Sequence, residues 1–314
     1  MPQRILITGI TGFLGSHIAE NLVNNGLQVL GLKRKDSNIW RCEGFKEKII
    51  WVDIDEYGLF EEKLEKYSFE SIIHAAWIGV GSKSRNDWNE QSKNITFLLS
   101  LLTVAKTVGV EKFVFLGSQA EYGYIEEKIS ESHTTNPSDA YGSVKLACLE
   151  IVKSFCRMND INWVWLRLFS LFGTKENRNW LIPSLISSML ASERIKLTPG
   201  EQKYAYLFVE DFCVIVTKIL IMTVQSGVYN ISSNETRTIK SLVEDIRNRV
   251  NPDFVLNFGN VNYTEGQSMH IEGDISKIAT QIGEIQLTDF SIALASTINY
   301  YIKNRNDEGC RFYS

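Results

Sequence analysis

The chain has 314 residues, of which 44% are hydrophobic and 22% are charged, and its net charge at pH 7 is −4. A globular protein of this size and composition buries a sizeable core without disulfides or metals. The slight negative charge, with no block of five like charges, argues against nucleic acid or an acidic membrane surface as the main partner.

Cysteine usage and the N-terminus indicate a cytoplasmic protein. The five cysteines are odd in number and form no C-x-x-C pair, which is typical of reduced thiols that fill a core. The N-terminus enters a predicted strand directly, so we expect no signal peptide. The most apolar long stretch, residues 212–224, contains Lys218 and is too short to cross a bilayer. It predicts a buried helix.

Short apolar runs alternate with helical patterns over the first half of the chain. Predicted strands lie at residues 4–9, 27–33, 48–54, 70–76, 112–118 and 162–170. They lack strict alternation, as do strands that are buried on both faces of a parallel sheet. Predicted helices at 13–26 and 94–109 each stop at a glycine. These repeated β-α-β units predict an α/β fold with a Rossmann-type, doubly wound parallel sheet.

The pattern loosens after about residue 171. Helices at 181–192 and 239–250 mix with short strands at 204–209 and 227–232. We therefore expect a Rossmann domain at 1–170 and a smaller, mixed α/β lobe at 171–314, of which about 206–225 could return to the first domain. Ligands of such sheets bind outside the carboxyl ends of the strands, so the cleft between the two parts is the expected site of chemistry.

The segment TGITGFLG, residues 8–15, lies between the first predicted strand and the first predicted helix. Its three glycines would make a tight turn, admit a pyrophosphate close to the backbone and let the helix pack on the sheet. An ordinary strand–helix turn is the alternative; a P-loop is disfavoured because no Gly-Lys-Ser/Thr follows. The candidate cofactor contacts in this loop are Gly9, Thr11, Gly12, Phe13, Leu14 and Gly15.

The end of the second predicted strand carries Lys33 and Arg34, where a protein that binds NAD usually has an acid that accepts hydrogen bonds from the ribose hydroxyls. Two cations suit a 2′-phosphate, so the sequence favours NADP(H) over NAD. Asp36 could still support NAD, and a solvated basic loop is the structural alternative.

Three further residues form a candidate catalytic set. Tyr141 and Lys145 share one face of a predicted helix at spacing i, i+4. An ammonium near a tyrosine lowers its pKa from about 10, which eases proton transfer, and the same lysine can hold ribose hydroxyls. Ser118 follows the strand at 112–118 directly and could bond a substrate carbonyl. A solvent-facing helical pair and a turn serine are the alternatives.

The sequence resembles the extended short-chain dehydrogenase/reductase family, the NAD(P)-dependent nucleotide-sugar epimerases and dehydratases, over nearly its whole length. TGITGFLG, HAA at 74–76, GSQAEYG and YGSVK carry the resemblance. It implies a Ser118, Tyr141 and Lys145 triad. It also implies adenine contacts from Asp53 and Ile54, and further cofactor contacts that it places at Ala75, Ala76, Asn94 and Phe169. GSQAEYG and the later GQSMH and GDISK look most like the branch that reduces 4-keto-6-deoxy sugars on CDP or dTDP.

The resemblance has gaps on the substrate side. Tyr204 and Thr264 stand where the family often has arginines that help hold the nucleotide diphosphate, and Ser170 replaces a usual asparagine. Lys203, Arg178 or Arg237 could compensate, although each reads more simply as a solvated surface charge. Trp77 and Trp88 could line a sugar pocket, but packing is an equal alternative. A homodimer through the helix of Tyr141 is a further expectation from the family.

The function expected from these residues is NADPH-dependent reduction of a nucleotide-linked 4-keto-6-deoxy sugar to the 4-hydroxy sugar. The alternatives are a nucleotide-sugar epimerase or dehydratase with tightly bound NAD(P), and a non-catalytic dinucleotide-binding protein. A dehydratase also needs an acidic pair beside the serine, and SQAEYG offers only Glu121. No metal is expected, because the four histidines lack ligand spacing, and His74 reads as a packing residue.

Overall fold

The computed structural model describes residues 3–54, 59–81 and 83–305, and Cys310 lies outside them. Strands and helices alternate along these residues. The strands are β1 (Arg4–Thr8), β2 (Gln28–Arg34), β3 (Ile49–Ile54), β4 (Ser71–His74), β5 (Lys112–Ser118), β6 (Lys128–Ile129), β7 (Asn162–Leu168), β8 (Ser170–Phe172), β9 (Lys203–Phe208), β10 (Gly227–Ile231), β11 (Thr236–Thr238) and β12 (His270–Gly273). The α-helices are α1 (Phe13–Asn24), α2 (Glu61–Leu64), α3 (Trp88–Val108), α4 (Ala140–Met158), α5 (Leu181–Leu190), α6 (Val209–Ile221), α7 (Ile239–Val250), α8 (Ser276–Ile282) and α9 (Phe290–Lys303).

Seven strands form the main sheet in the order β10-β7-β5-β4-β1-β2-β3. All six pairings are parallel, so every strand ends at the same edge. The chain order reverses between β1 and β4, which opens a crevice at that edge. The predicted doubly wound α/β fold is confirmed.

The two faces of the sheet are covered by different helices because successive strand residues point to opposite sides. Ile5 and Ile7 of β1 pack in one core with α1 and α6, whereas Leu6 packs in the other with α3 and α4. The helix expected at 212–224 is α6, whose buried side includes Phe212 and Val216. Within the described residues, no helix is long and apolar enough to cross a membrane.

A second, smaller sheet has the order β11-β9-β12-β6, with β8 also paired to β9. Its core is shared with α5, α7 and α9. Two strands lie in a different sheet from the one implied by the expected division at residue 170. The strand expected at 227–232 in the second lobe is β10, which pairs with β7 as an edge strand of the main sheet. Conversely, β6 of the first segment joins the second sheet by pairing with β12. The chain thus crosses between the two sheets on both sides of that boundary.

Candidate active site

The glycine loop at the end of β1 is a tight cradle whose backbone packs against the end of β4 and the start of α1. Gly9 has φ +68°, and a Cβ there would lie 2.6 Å from the Ala76 nitrogen. A Cβ on Gly15 would collide with the Gly9 carbonyl oxygen, and the Gly12 N–H donates to that oxygen at 3.0 Å. Side chains at Gly9 and Gly15 would therefore collide with backbone, and the glycines allow the tight turn into α1. A tight turn that leads into a helix N-terminus fits a dinucleotide pyrophosphate.

The other loop residues hold the cradle in place. The Arg41 guanidinium donates to the Thr11 carbonyl at 3.4 Å and to the Lys175 carbonyl at 2.8 Å. Phe13 packs edge-on against His17 with ring centres 5.3 Å apart. Leu14 packs against the hydrophobic core. Arg41 was not predicted from the sequence, because a cation in a loop after β2 carries no signal until the tertiary structure places it on the glycine loop.

The two cations at the end of β2 have different environments. Lys33 forms a 2.6 Å ion pair with Asp53, its register partner on β3, and its ammonium is mostly buried. Arg34 lies beside Ile54 in the same register and is exposed. Lys33 was predicted to contact the 2′-phosphate of the cofactor and Asp53 its adenine. In the structure the charges of these two side chains neutralise each other. Arg34 is left as the exposed cation of the predicted pair.

Ser118, Tyr141 and Lys145 are brought together, buried, at the carboxyl edge of the sheet. Ser118 ends β5, and a side-chain hydrogen bond joins it to Tyr141 of α4. The Lys145 ammonium donates to the Leu116 carbonyl at 2.6 Å and lies 5.8 Å from the centre of the Tyr141 ring. It also lies 3.7 Å from the Trp77 ring, so Trp77 is part of this site. The predicted juxtaposition of the three residues is present.

Burial governs the electrostatics of this cluster. It raises the pKa of Tyr141 above its usual value, and the hydrogen bond from Ser118 and the charge of Arg85 oppose this rise. Burial also lowers the pKa of Lys145 to about 7, opposed by the charge of Glu121. The expectation from the sequence was that Lys145 lowers the pKa of Tyr141. In the structure Ser118 and Arg85 have that effect, because the Lys145 ammonium is turned toward a carbonyl.

Glu121, fully buried, organises the loop that follows Ser118. Its carboxylate accepts from the Ser118 N–H at 2.8 Å and the Trp165 indole at 2.9 Å, and it pairs with Arg167 at 2.8 Å. The Ser118 side chain in turn accepts from the Ala120 N–H at 3.2 Å, which completes a capping box. Glu121 therefore holds the backbone of Ser118 and faces away from solvent.

The remaining predicted cofactor residues make contacts within the protein that position the loops near the glycine cradle and Tyr122. The Ala75 and Ala76 N–H groups donate to Thr8, which docks the end of β4 on the glycine loop. Asn94 is buried, and its amide bonds both backbone groups of Ile78, so it supports the loop after β4. Phe169 packs beside Tyr122 with ring centres 6.4 Å apart. Direct contact of Asn94 and Phe169 with a cofactor stays a prediction.

The residues predicted to stand at the arginine positions of the substrate side form contacts with nearby segments. The Tyr204 hydroxyl donates to the Ser268 carbonyl at 3.0 Å and accepts from Gln267 at 3.3 Å. Thr264 bonds the side chain of the same Gln267 through its N–H. Arg237 is not a solvated surface charge, because its guanidinium stacks 3.2 Å from the centre of the Phe290 ring.

Two of the histidines, His74 and His17, are buried in the fold. His74 is buried, shares a 2.7 Å hydrogen bond with Thr8 and packs edge-on to Phe115 at 4.7 Å, which confirms it as a packing residue. Burial lowers its pKa to about 3 and that of His17 to about 4. Over the residues that the structure describes, no cluster of three metal-ligating side chains occurs.

Comparison with known proteins places the chain in a family. A putative UDP-glucose 4-epimerase of Methanocaldococcus jannaschii is 26% identical over 96% of this chain and 99% of its own length. The CDP-abequose synthase of Salmonella muenchen is 26% identical over 90% and 92%. The structure of a Thermotoga maritima UDP-glucose 4-epimerase with UDP-glucose superposes with a TM-score of 0.86, at 21% identity over 97% of this chain and all of that one. The model of the NAD dependent epimerase/dehydratase family matches residues 5–232, and the chain therefore belongs to that family of enzymes.

Proposed function

We propose that this protein is an NADPH-dependent reductase of a nucleotide-linked 4-keto-6-deoxy sugar. The observation that carries the proposal is the buried Ser118, Tyr141 and Lys145 cluster at the carboxyl edge of the sheet, beside the glycine cradle. Kinship with the CDP-abequose synthase and the epimerases supports a nucleotide sugar as the substrate. A non-catalytic dinucleotide-binding protein would have no need of this cluster.

In the proposed reduction, each residue of the cluster has a separate role. Bound NADPH would supply the hydride that the carbonyl carbon receives. Tyr141 donates its hydroxyl proton to the carbonyl oxygen, so the carbonyl becomes an alcohol and Tyr141 becomes a tyrosinate. Ser118 donates a hydrogen bond to the same oxygen as negative charge develops there. Lys145, already buried beside Tyr141, would hold ribose hydroxyls of the cofactor. Tyr141 then regains a proton from solvent.

The environment of Glu121 argues against a dehydratase. Elimination of water needs an acid and a base that reach the sugar. The positions next to Ser118 hold Gln119 and Ala120, and the Glu121 carboxylate is committed to Arg167 and two N–H donors. A buried, paired carboxylate of this kind does not serve as a proton donor to a substrate.

Cofactor preference separates the reductase from an epimerase. A reductase releases its oxidised cofactor every turnover, whereas an epimerase regenerates the cofactor and can retain it. The exposed Arg34 beside the neutralised Lys33 offers a partner for a 2′-phosphate, which favours NADPH. The full-length similarity to a putative UDP-glucose 4-epimerase keeps epimerisation as the second candidate.

The test is a product assay beside an NADPH absorbance trace. Purified protein is mixed with 4-keto-6-deoxyhexoses carried on CDP, dTDP, GDP or UDP. One NADPH lost for each 4-hydroxy sugar formed supports the proposal. Ser118→Ala should slow this reaction about 10²–10³-fold, as does loss of one donor from comparable oxyanion sites. Conversion of a nucleotide hexose to its epimer without net NADPH loss would favour the epimerase instead.

A further inference from the structure

A cation outside the predicted catalytic set lies on the face of the Tyr141 ring. The guanidinium carbon of Arg85 is 4.2 Å from the ring centre. Arg85 follows β4 in the chain, and its Nε pairs with the Asp139 carboxylate at 2.5 Å. A cation over an aromatic face is attracted by the ring, and the attraction grows when the phenol carries a negative charge.

Hydrogen bonds between the loop that carries Arg85 and the start of α4 hold this position. The Tyr141 N–H donates to the Arg85 carbonyl at 3.0 Å, and the Ala140 N–H donates to the Asn86 side chain at 3.2 Å. Asp139 caps α4 by accepting from the Gly142 N–H at 2.6 Å and binds Arg85 with its other oxygen. One carboxylate thus begins the helix that carries Tyr141 and orients the guanidinium that faces it.

The other groups around Tyr141 come from three parts of the fold. They are Ser118 and Glu121 at the end of β5, Trp77 after β4, and Asp139 and Lys145 before and within α4. Both carboxylates disfavour a negative Tyr141, and each is matched by an arginine, Glu121 by Arg167 and Asp139 by Arg85. Loss of Arg85 would therefore remove a cation and leave an unpaired carboxylate beside the ring.

We propose that Arg85 is a positioning residue that stabilises the anionic form of Tyr141, the form left after proton donation. Its use in turnover rests on the proposed function, because only a reaction that takes a proton from Tyr141 generates the anion. Its effect on the ionisation of Tyr141 does not depend on any substrate, so the two ideas can be tested apart.

The experiment titrates Tyr141 by the ultraviolet absorbance of tyrosinate in the full chain. Each variant is measured with and without Tyr141→Phe, and the difference isolates this one tyrosine. Arg85→Met should raise the pKa of Tyr141 by roughly 1–3 units, the usual range for loss of an adjacent opposite charge. Arg85→Lys should recover most of the shift. Lys83→Met is the matched control, since Lys83 is an exposed cation near Arg85 in the chain, and it should leave the pKa unchanged.

Arg85→Gln provides a second neutral variant that can still bond Asp139, in case the methionine variant does not fold. An unchanged Tyr141 pKa in the folded neutral variant would overturn the proposal, as would an equal shift in Lys83→Met. With substrate, the alkaline limb of the kcat profile should move up with the same variants. A titration that shifts as expected in a protein that reduces no ketosugar would retain the role of Arg85 and reject the reductase.

Discussion

Glu121→Gln tests whether the buried ion pair behind Ser118 stabilises the fold. Both partners are buried, with 0% and 4% of their side chains exposed for Glu121 and Arg167. Glutamine keeps the size and one acceptor oxygen but leaves the guanidinium without its counter-charge. Removing one partner of such a pair typically costs about 3–5 kcal/mol, because the other charge remains buried and unpaired. We expect the free energy of unfolding to fall by that amount.

A second substitution separates charge from packing. Adding Arg167→Met removes the unpaired buried charge. In the unmodified protein the Arg167 guanidinium carbon lies 4.3 Å from the centre of the Tyr122 ring, and the methionine side chain can still pack on that ring. The double variant should therefore be more stable than Glu121→Gln alone. Urea unfolding at a constant m value measures all three proteins. A loss below about 1 kcal/mol in Glu121→Gln, or further destabilisation by the second substitution, would refute the reasoning.

The proposed proton donor Tyr141, the exposed Arg34 and two buried histidines each offer a separate test. Tyr141→Phe should lower kcat about 10²–10⁴-fold and leave the NADPH dissociation constant nearly unchanged, because only the proton donor is lost; full activity would contradict its role. Arg34→Asn should reduce the preference for NADPH over NADH in kcat/KM about 10- to 100-fold, because Lys33 is already paired; an unchanged ratio would exclude it as a phosphate partner. His74 and His17 have folded pKa values below the unfolded one, so the unfolded chain takes up more protons and stability falls as pH drops below about 6.5. At pH 5, protonation of each histidine in the unfolded chain should lower the free energy of unfolding by about 2 kcal/mol relative to pH 7, as measured by urea unfolding. His74→Gln should remove the part of this pH dependence that comes from His74.

The sequence was enough to bring candidate residues together where the signal is local. The glycine loop, the i, i+4 pair of Tyr141 and Lys145, and Ser118 at a strand end are each defined within a few residues, and the structure brings the last three together. The sequence carried no signal where a partner is distant in the chain. Arg85 had no visible role until the structure placed it on Tyr141.

The sequence by itself determined the class of the sheet and predicted the edge of the sheet at which to look for the site. Continuous apolar runs mark strands buried on both faces, and helical spacing marks the crossovers, so local order along the chain is enough to predict a doubly wound sheet. Only the tertiary structure decided which charges meet. The pairing of Lys33 with Asp53 follows from the register of two neighbouring strands, and the pairing of Glu121 with Arg167 from the packing of β7 beside β5. Hydrophobic periodicity reports that a side chain is buried, but the identity of its neighbour depends on how distant segments pack against each other.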